Sequence, residues 1–588
     1  MKQVASVVIT VLLVASAGIA QGTGTGTTGT RGKKSGSSLP NVSAQLSQMQ
    51  QSIDAQQQQI QQLMQQLQSR DQQIQQLQQQ MNQVQSTANQ AQQKADTAVS
   101  QSTQQKQDVV AVRSDVTDLK DTVTNTALAM QETQKTVNES PLALRIKGIT
   151  LTPGGFLAAE TVWRQRGLAS DVNTPFNSIP LPGSSQSSLS EFFASGRQSR
   201  ISLLAEGKLK DAKLTGYYET DFLSAGVTSN NNESNSYTNR QRQVWGQAAL
   251  HGWSFTGGQM WSLVTETRKG VDNRTEAVPM TIDAQYHVGF SWARQYGFRV
   301  AKDFGDKVWL AFAVENPQTT FTAHGNASNF LLGAPGTGGG LYNPTANYSF
   351  NSAPDIIAKA AFEPGWGHYE VFGVVSQFRD RVFPNATAAT PSAAGAFNDA
   401  RVGGGIGANA RGSLFHKHVD VGLHFLGGDG VGRYGTTGLP DATVRPDGTL
   451  ALVRAYQALG TLEWHSVKWD IYTNAGGEYA GRTAYLNSAG KGVGYGSTLF
   501  SNAGCSTETP PGSNGFTPGA LTNCTGDTRN IIQGTLGFWY RFYKGPKGTV
   551  QWGPQYSYVV RNIWSGTGGG GPSGIENMFF TSFRYYLP

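Results

Sequence analysis

The chain has 588 residues, 14% of them charged, and a formal net charge of +7. That length exceeds one ordinary soluble domain, and a balance this mild, with no basic stripe or aromatic–basic motif, excludes a nucleic-acid binder. Past the N-terminus no run approaches the ~18 apolar residues of a membrane-spanning helix, which excludes a helical membrane protein but not a barrel, whose strands are only half apolar.

Residues 1–20 read as a secretory signal peptide, with Lys2 as the charge, Val4–Val14 as the apolar core, and Gly18 and Ala20 before a cut ahead of Gln21. Residues 21–40, rich in Gly, Thr and Ser, read as a flexible linker. Residues 41–140 are Gln-rich over a heptad: Leu46, Ile53, Ile60, Leu67, Ile74 and Met81 are seven apart, and the series resumes at Val109 after Ser102. This predicts an α-helical coiled coil, with a Gln-rich disordered tract as the alternative. Polar residues in its seam leave its oligomer state open. Ser140–Pro141 ends the helix, because proline cannot continue it.

From residue 141 onward the pattern becomes two-residue alternation. In Arg197–Phe222, Ile201, Leu203, Ala205, Leu214, Gly216 and Tyr218 occupy one face, and Arg200, Glu206, Lys213, Glu219 and Asp221 the other. Strand side chains alternate between faces, so this is a hairpin with one apolar and one charged side. A water-filled barrel places the charged side in its lumen and the apolar side in lipid. Strand candidates begin near residues 154, 196, 212, 240, 252, 294, 307, 355, 367, 401, 416, 454, 467, 529, 547 and 576. The breaks between them alternate strictly between short and long, as in outer-membrane barrels with tight periplasmic turns and long external loops. The predicted fold class is therefore all-β: a 16-stranded antiparallel transmembrane β-barrel over residues 141–588, in the lipid of the outer membrane of a Gram-negative-type bacterium. An even strand number with long loops first leaves both barrel ends, and hence the coiled coil, in the periplasm, where the coil is free to contact a partner.

On clean alternations Arg200, Arg299, Arg401, Arg411, Arg541 and Arg561 point inward with Glu206, Glu219, Asp221, Glu463, Asp470 and Glu478. These are pore-lining candidates. If the first hairpin pairs residues whose numbers sum to 419, Arg200 faces Glu219 and Glu206 faces Lys213, and such pairs merely stiffen the wall. Arginine at several depths favours anions, opposed by the inward carboxylates. Nothing points to an enzyme, a metal or a cofactor. The eight histidines are scattered, no HExxH, paired-Cys or GxSxG motif occurs, and Gly403–Gly407 reads as small residues on a strand. Cys505 and Cys524, the only cysteines, share one external loop of an exported chain and are expected to form a disulfide.

The stretches Thr152-Pro-Gly-Gly-Phe156, Phe176-Asn-Ser-Ile-Pro180, Arg197-Gln-Ser-Arg-Ile-Ser-Leu203, Tyr217-Tyr-Glu-Thr-Asp-Phe222, Gly258-Gln-Met-Trp261 and Pro279-Met-Thr-Ile-Asp-Ala-Gln-Tyr286 resemble the DcaP-like outer-membrane porins, dicarboxylate-type channels with an N-terminal coiled coil. The resemblance implies a trimeric porin for small, preferably anionic solutes. It also implies that the loop after the fifth strand, Glu266–Gln285, folds inward as a constriction carrying Arg268, Lys269, Asp272, Arg274 and Glu276. An ordinary external loop is the alternative. The chain departs from the pattern at Tyr585-Tyr-Leu-Pro588, where such barrels commonly end on an aromatic residue. The competing functional reading is a structural tether, with the barrel as anchor and the coil reaching through the periplasm.

Overall fold

A computed structural model describes residues 143–223, 238–332, 350–512 and 515–588, together with helical residues Met81, Gln83, Val84, Ser86 and Thr87. The signal peptide, the linker and, apart from those five residues, the coiled coil lie outside the described residues.

Sixteen strands form the wall. The first eight are β1 (Ile149–Arg164), β2 (Arg200–Leu209), β3 (Ala212–Asp221), β4 (Arg240–Leu250), β5 (Trp253–Trp261), β6 (Arg294–Asp303), β7 (Val308–Glu315) and β8 (Asp355–Phe362). The second eight are β9 (His368–Val382), β10 (Phe397–Leu414), β11 (Val419–Asp429), β12 (Arg454–His465), β13 (Trp469–Ala480), β14 (Thr528–Gly545), β15 (Gly548–Ile563) and β16 (Ser573–Tyr586). Each pairs antiparallel with its sequence neighbours, and β1 closes the sheet by pairing with both β16 and β2. Closure leaves no wall strand with an unpaired edge. The expected strand starts and the short–long alternation of connections both appear. The first strand starts earlier than expected, at Ile149, because a small hairpin with Leu144–Ile146 precedes it. Short ribbons within the long loops, such as Ala442–Val444 with Leu450–Leu452 and Thr483–Leu486 with Gly492–Tyr495, were not anticipated. At three or four residues each they are too short for alternation to register.

The two faces separate as the alternation requires. Outward residues such as Leu462, Trp464, Ile471, Ile532, Leu536, Phe579 and Phe583 are exposed, while inward Glu463, Asp470, Glu478, Gln533, Gln555 and Glu576 are buried. Trp469, itself exposed, packs tilted against Tyr540 with ring centroids 4.6 Å apart beside a short turn, the position of an interfacial aromatic belt. The glycines of β10 serve close packing: Gly407 lies opposite Phe372, and a Cβ there would strike the phenyl ring.

The register of the first hairpin corrects the sequence reading. Strand β2 runs on through Leu209 and turns at Lys210–Asp211, with Lys210 at φ 54°. The pairs therefore sum to 421: Arg200 lies opposite Asp221, and Glu206 opposite Thr215. The proposed ionic partners still meet, but diagonally, with Arg200–Glu219 at 3.6 Å and Lys213–Glu206 at 2.7 Å. Diagonal neighbours are within reach of long side chains.

The apolar core sits inside the barrel. Leu263, Val264 and Val271, from the β5–β6 connection, pack with Trp309, Ile357, Phe372 and Leu426 of the wall. A second cluster joins Phe176 and Ile179 of the β1–β2 connection to Ile282, Val288, Tyr472, Ile531 and Phe580. Each fully buried aliphatic or phenyl group of this kind contributes roughly 1.5–3 kcal/mol, so loop burial inside the lumen is part of what holds the barrel's shape. Cys505 and Cys524 are joined, with Cα atoms 4.7 Å apart, in the β13–β14 connection.

Candidate functional site

The β5–β6 connection, residues 262–293, is the loop that organises the lumen. Its own sequence drives it inward. Leu263, Val264, Val271, Ala277, Ile282, Val288 and Phe290 are all buried, too much apolar surface for a loop left in water. A loop drawn into a barrel carries its backbone N–H groups with it, and each needs an acceptor. The wall supplies them. Leu263 N–H donates to Glu315 at 2.8 Å, Thr267 N–H to Glu370 at 3.0 Å, Gly270 N–H to Glu363 at 2.7 Å and Gly289 N–H to Glu478 at 2.9 Å. Ile282 and Val288 N–H groups donate to the side chains of Gln555 and Gln533. Gly289 sits at φ 90°, against the Ala458 carbonyl, where any Cβ would collide; only glycine suits that position.

This assigns partners to several residues picked out from the sequence. Arg299 donates to the Trp261 carbonyl at 2.6 Å and to Asn273 at 2.8 Å, and Arg411 donates to Glu266 at 3.1 Å, with His424 2.9 Å from the same carboxylate. Arg561 donates to the Ile179 carbonyl at 2.9 Å and so holds the β1–β2 connection. Arg541 is bound to Asp470 and to the Ser466 carbonyl beside a short turn, and Arg401 pairs with Asp399 at 3.1 Å. Within the loop, Arg268 approaches Glu463 at 3.9 Å, Lys269 approaches Asp306 at 3.6 Å, and Arg274 N–H donates to Glu276 at 3.2 Å with its guanidinium over the Tyr217 ring. Asp272 is exposed, and its backbone carbonyl accepts from Thr275.

A dense group of charges lies on β3, β4 and the first residue of β6. Arg240 grips Asp221 through two hydrogen bonds of 2.8 and 2.7 Å. Arg242 donates to Glu219 at 2.6 Å, to Asp221 at 2.7 Å and to the Tyr286 hydroxyl at 3.1 Å. Arg294 donates to the same hydroxyl at 3.0 Å and lies 5.0 Å from the ring centroids of both Trp261 and Trp292. With Arg200, four guanidinium groups gather around two carboxylates. Arg294 has no carboxylate partner among the described residues. The cluster acts on the phenol of Tyr286, in the loop. Burial would raise its pKa, but Arg242, Arg294 and Arg200 outweigh it and pull it down to about 8. Among the described residues, nearby Asp283 has no such cationic neighbour in contact; burial pushes its carboxyl up to about 6, against hydrogen bonds from the Thr174 and Gln285 N–H groups.

Sequence reasoning missed Arg240, Arg242, Arg294 and Tyr286. On β4, Glu219 pairs with Gln243 and Thr220 with Gln241, so Arg242 is the extra residue of a β-bulge. A bulge breaks the two-residue rhythm and re-aims a side chain, so Arg242 and Gln243 are both buried although adjacent. A QRQ sequence at the break of an alternation was the available signal. Above the cluster opens a cavity of 1290 Å³ lined by Arg240, Arg294, Trp292, Arg433, Tyr434 and Asp355 among others. Arg433 is neutralised there by Asp355 and Asp441.

A closed antiparallel barrel with an apolar outer face and a polar interior is the form of outer-membrane-type β-barrels. No family model matches the chain, and no curated protein matches it. Among solved structures, the chain is similar to the outer membrane channel DcaP of Acinetobacter baumannii, at 14% identity and a TM-score of 0.52, covering 76% of this chain and 99% of that one. It is also similar to OprB of Pseudomonas putida, at 12% identity and a TM-score of 0.42, covering 77% and 96%, and to an anion-selective porin from Comamonas acidovorans, at 10% identity and 0.37, covering 75% and 100%. The DcaP match carries the fold; the two weaker matches add nothing to it.

Proposed function

We propose that the protein is an outer-membrane porin for passive diffusion of small hydrophilic solutes, with a preference for anions that carry carboxylates. The carrying observation is the cluster of four guanidinium groups around two carboxylates, with Arg294 left uncompensated at the wall of the main cavity. A guanidinium holds a carboxylate in a two-pronged geometry and keeps its charge across the accessible pH range. Rings of like charge at a narrow passage set ion selectivity. The inward loop narrows the passage, and its hydrogen bonds to the wall keep that narrowing fixed. The DcaP-like barrel fold supports this reading; we also propose a homotrimer, as the sequence resemblance implies, with its coiled coil in the periplasm. Reversal potentials across planar bilayers in a potassium chloride gradient test it. Chloride should be the more permeant ion, and Arg294→Gln should lower its advantage while Arg294→Lys keeps it. A cation-selective wild type would overturn the anion preference.

A further inference from the structure

A second cluster, distinct from the Arg240–Arg242–Arg294 group, lies beside the short turns that join β10 to β11 and β12 to β13. Asp420 on β11 and Glu463 on β12 stand directly opposite each other in the ladder. Two like charges in that relation repel. Glu463 is fully buried, and neither of its carboxylate oxygens accepts a hydrogen bond among the described residues. Its nearest cationic atoms are Nε2 of His465 at 3.5 Å and the Arg268 guanidinium at 3.9 Å. Asp420 takes the Ser413 hydroxyl on Oδ1, leaving Oδ2 for the cluster.

His465, on the same face of β12, completes the arrangement. Its Nδ1 lies 2.9 Å from Asp470, its cross-strand partner on β13, and Asp470 is held in turn by Arg541. Its Nε2 lies 3.5 Å from Asp420 Oδ2 and 3.5 Å from Glu463 Oε2. Those separations are long for a charge-assisted hydrogen bond of ~2.7–2.9 Å. They match the ~3.4 Å edge of a tetrahedron whose ligands sit ~2.1 Å from a central ion. One ligand atom from each of the three residues lies within 4.8 Å of the others. A carboxylate on Nδ1 is the outer-shell contact that fixes the tautomer in which Nε2 offers its lone pair to a metal.

We propose that Asp420, Glu463 and His465 form a site for a divalent transition-metal ion of the zinc class. Imidazole nitrogen with two carboxylates suits zinc and its neighbours, whereas magnesium prefers an all-oxygen octahedron. His465 is partly exposed to the lumen, which gives the ion a route in and leaves a fourth position for water. Binding displaces the Nε2 proton to solvent where the imidazole was charged, as metal binding to histidine requires. The ion relieves the Asp420–Glu463 repulsion and ties β11 to β12 below Arg268 of the inward loop. The proposal is independent of the anion preference.

The test is calorimetric titration of the full chain in detergent, stripped with chelator, with zinc chloride and in parallel with magnesium chloride. One zinc per chain is expected, with magnesium at least ~100-fold weaker. His465→Gln should weaken zinc by at least ~100-fold, and Asp470→Asn, acting through the tautomer, by about 10-fold. His251→Ala, in the β4–β5 turn, should leave the affinity as it was. If His465→Gln fails the heat-dependent mobility shift of a folded barrel, Glu463→Gln serves in its place and should weaken zinc by a similar factor. Absence of saturable binding, equal affinity in the folded cluster variants, or loss of binding in His251→Ala overturns the proposal.

Discussion

Raising the pH through 8 should weaken the proposed anion preference, and Tyr286 is the reason. Its phenol, 7% exposed, is hydrogen-bonded by Arg242 and Arg294 and sits against Trp261, Phe290 and Trp292. Its pKa of about 8 lies below the ordinary tyrosine value near 10. Deprotonation places one negative charge among four guanidinium groups and two carboxylates, and so halves the local excess of positive charge. A unit charge ~5 Å from a passing ion contributes about 0.8 kcal/mol in a water-filled passage, reduced by screening in ~0.1 M salt. That corresponds to a fall of about two- to fourfold in the chloride-to-potassium permeability ratio between pH 6.5 and 9.5. Reversal potentials read this directly, and ultraviolet difference absorbance follows the phenolate itself. Tyr286→Phe should keep the low-pH selectivity and flatten the profile. Stability should move with it. The folded state releases this proton before the unfolded chain does, so the stabilisation is full above about 10 and is lost as pH falls through about 8. A wild type with no inflection between pH 7 and 9, or a Phe variant that retains one, would refute the assignment.

Asp283 should produce the opposite dependence: its carboxyl is raised to about 6, so its contribution is full below the ordinary aspartate value near 4 and is lost as pH rises through about 6. Asp283→Asn should therefore unfold at a higher temperature than wild type at pH 8 and at a similar one at pH 4, the difference being on the order of 3 kcal/mol. Arg411→Ala should strand Glu266, fully buried beside His424, at a cost of about 3–5 kcal/mol. It should be read as a lower unfolding temperature together with noisier single-channel currents as the inward loop loses its tie to β10; quiet currents and unchanged melting would show that the tie carries little.

The barrel was legible because its physics is periodic. A residue's face on a strand follows from its parity, and the alternation of short and long connections follows from the two ends of the barrel. Parity places Arg299, Arg411, Glu463 and Glu478 inside, where they are. It carries no information about partners. Glu478 looked like a pore charge, yet it accepts from Gly289 N–H and Thr437 N–H; those donors lie 189 and 41 residues away along the chain. Loop contacts of that range follow no short repeat. Register failed for a related reason: alternation is unchanged by a slip of two, so only the turn at Lys210–Asp211 distinguishes a sum of 421 from one of 419. The inward loop was reached by resemblance to a family. Its own residues also held a signal, the buried run Val271, Ala277, Ile282, Val288 and Phe290 in what should otherwise be a solvated connection.

The same reasoning explains why the arginine cluster escaped notice while the weaker candidates did not. Arg401 and Arg561 sit on unbroken alternations and were easy to place. Arg242 is the extra residue of a bulge, which the alternation cannot place, and Arg294 begins its strand directly after the loop. Both stand where regular pairing stops, and there side chains are free to be aimed at something other than the next rung. A bulge re-aims its displaced side chain. Here that side chain joins Glu219, Asp221 and Tyr286 in one network. A search of barrel sequences for functional charge therefore does better to begin where the two-residue rhythm fails than where it holds.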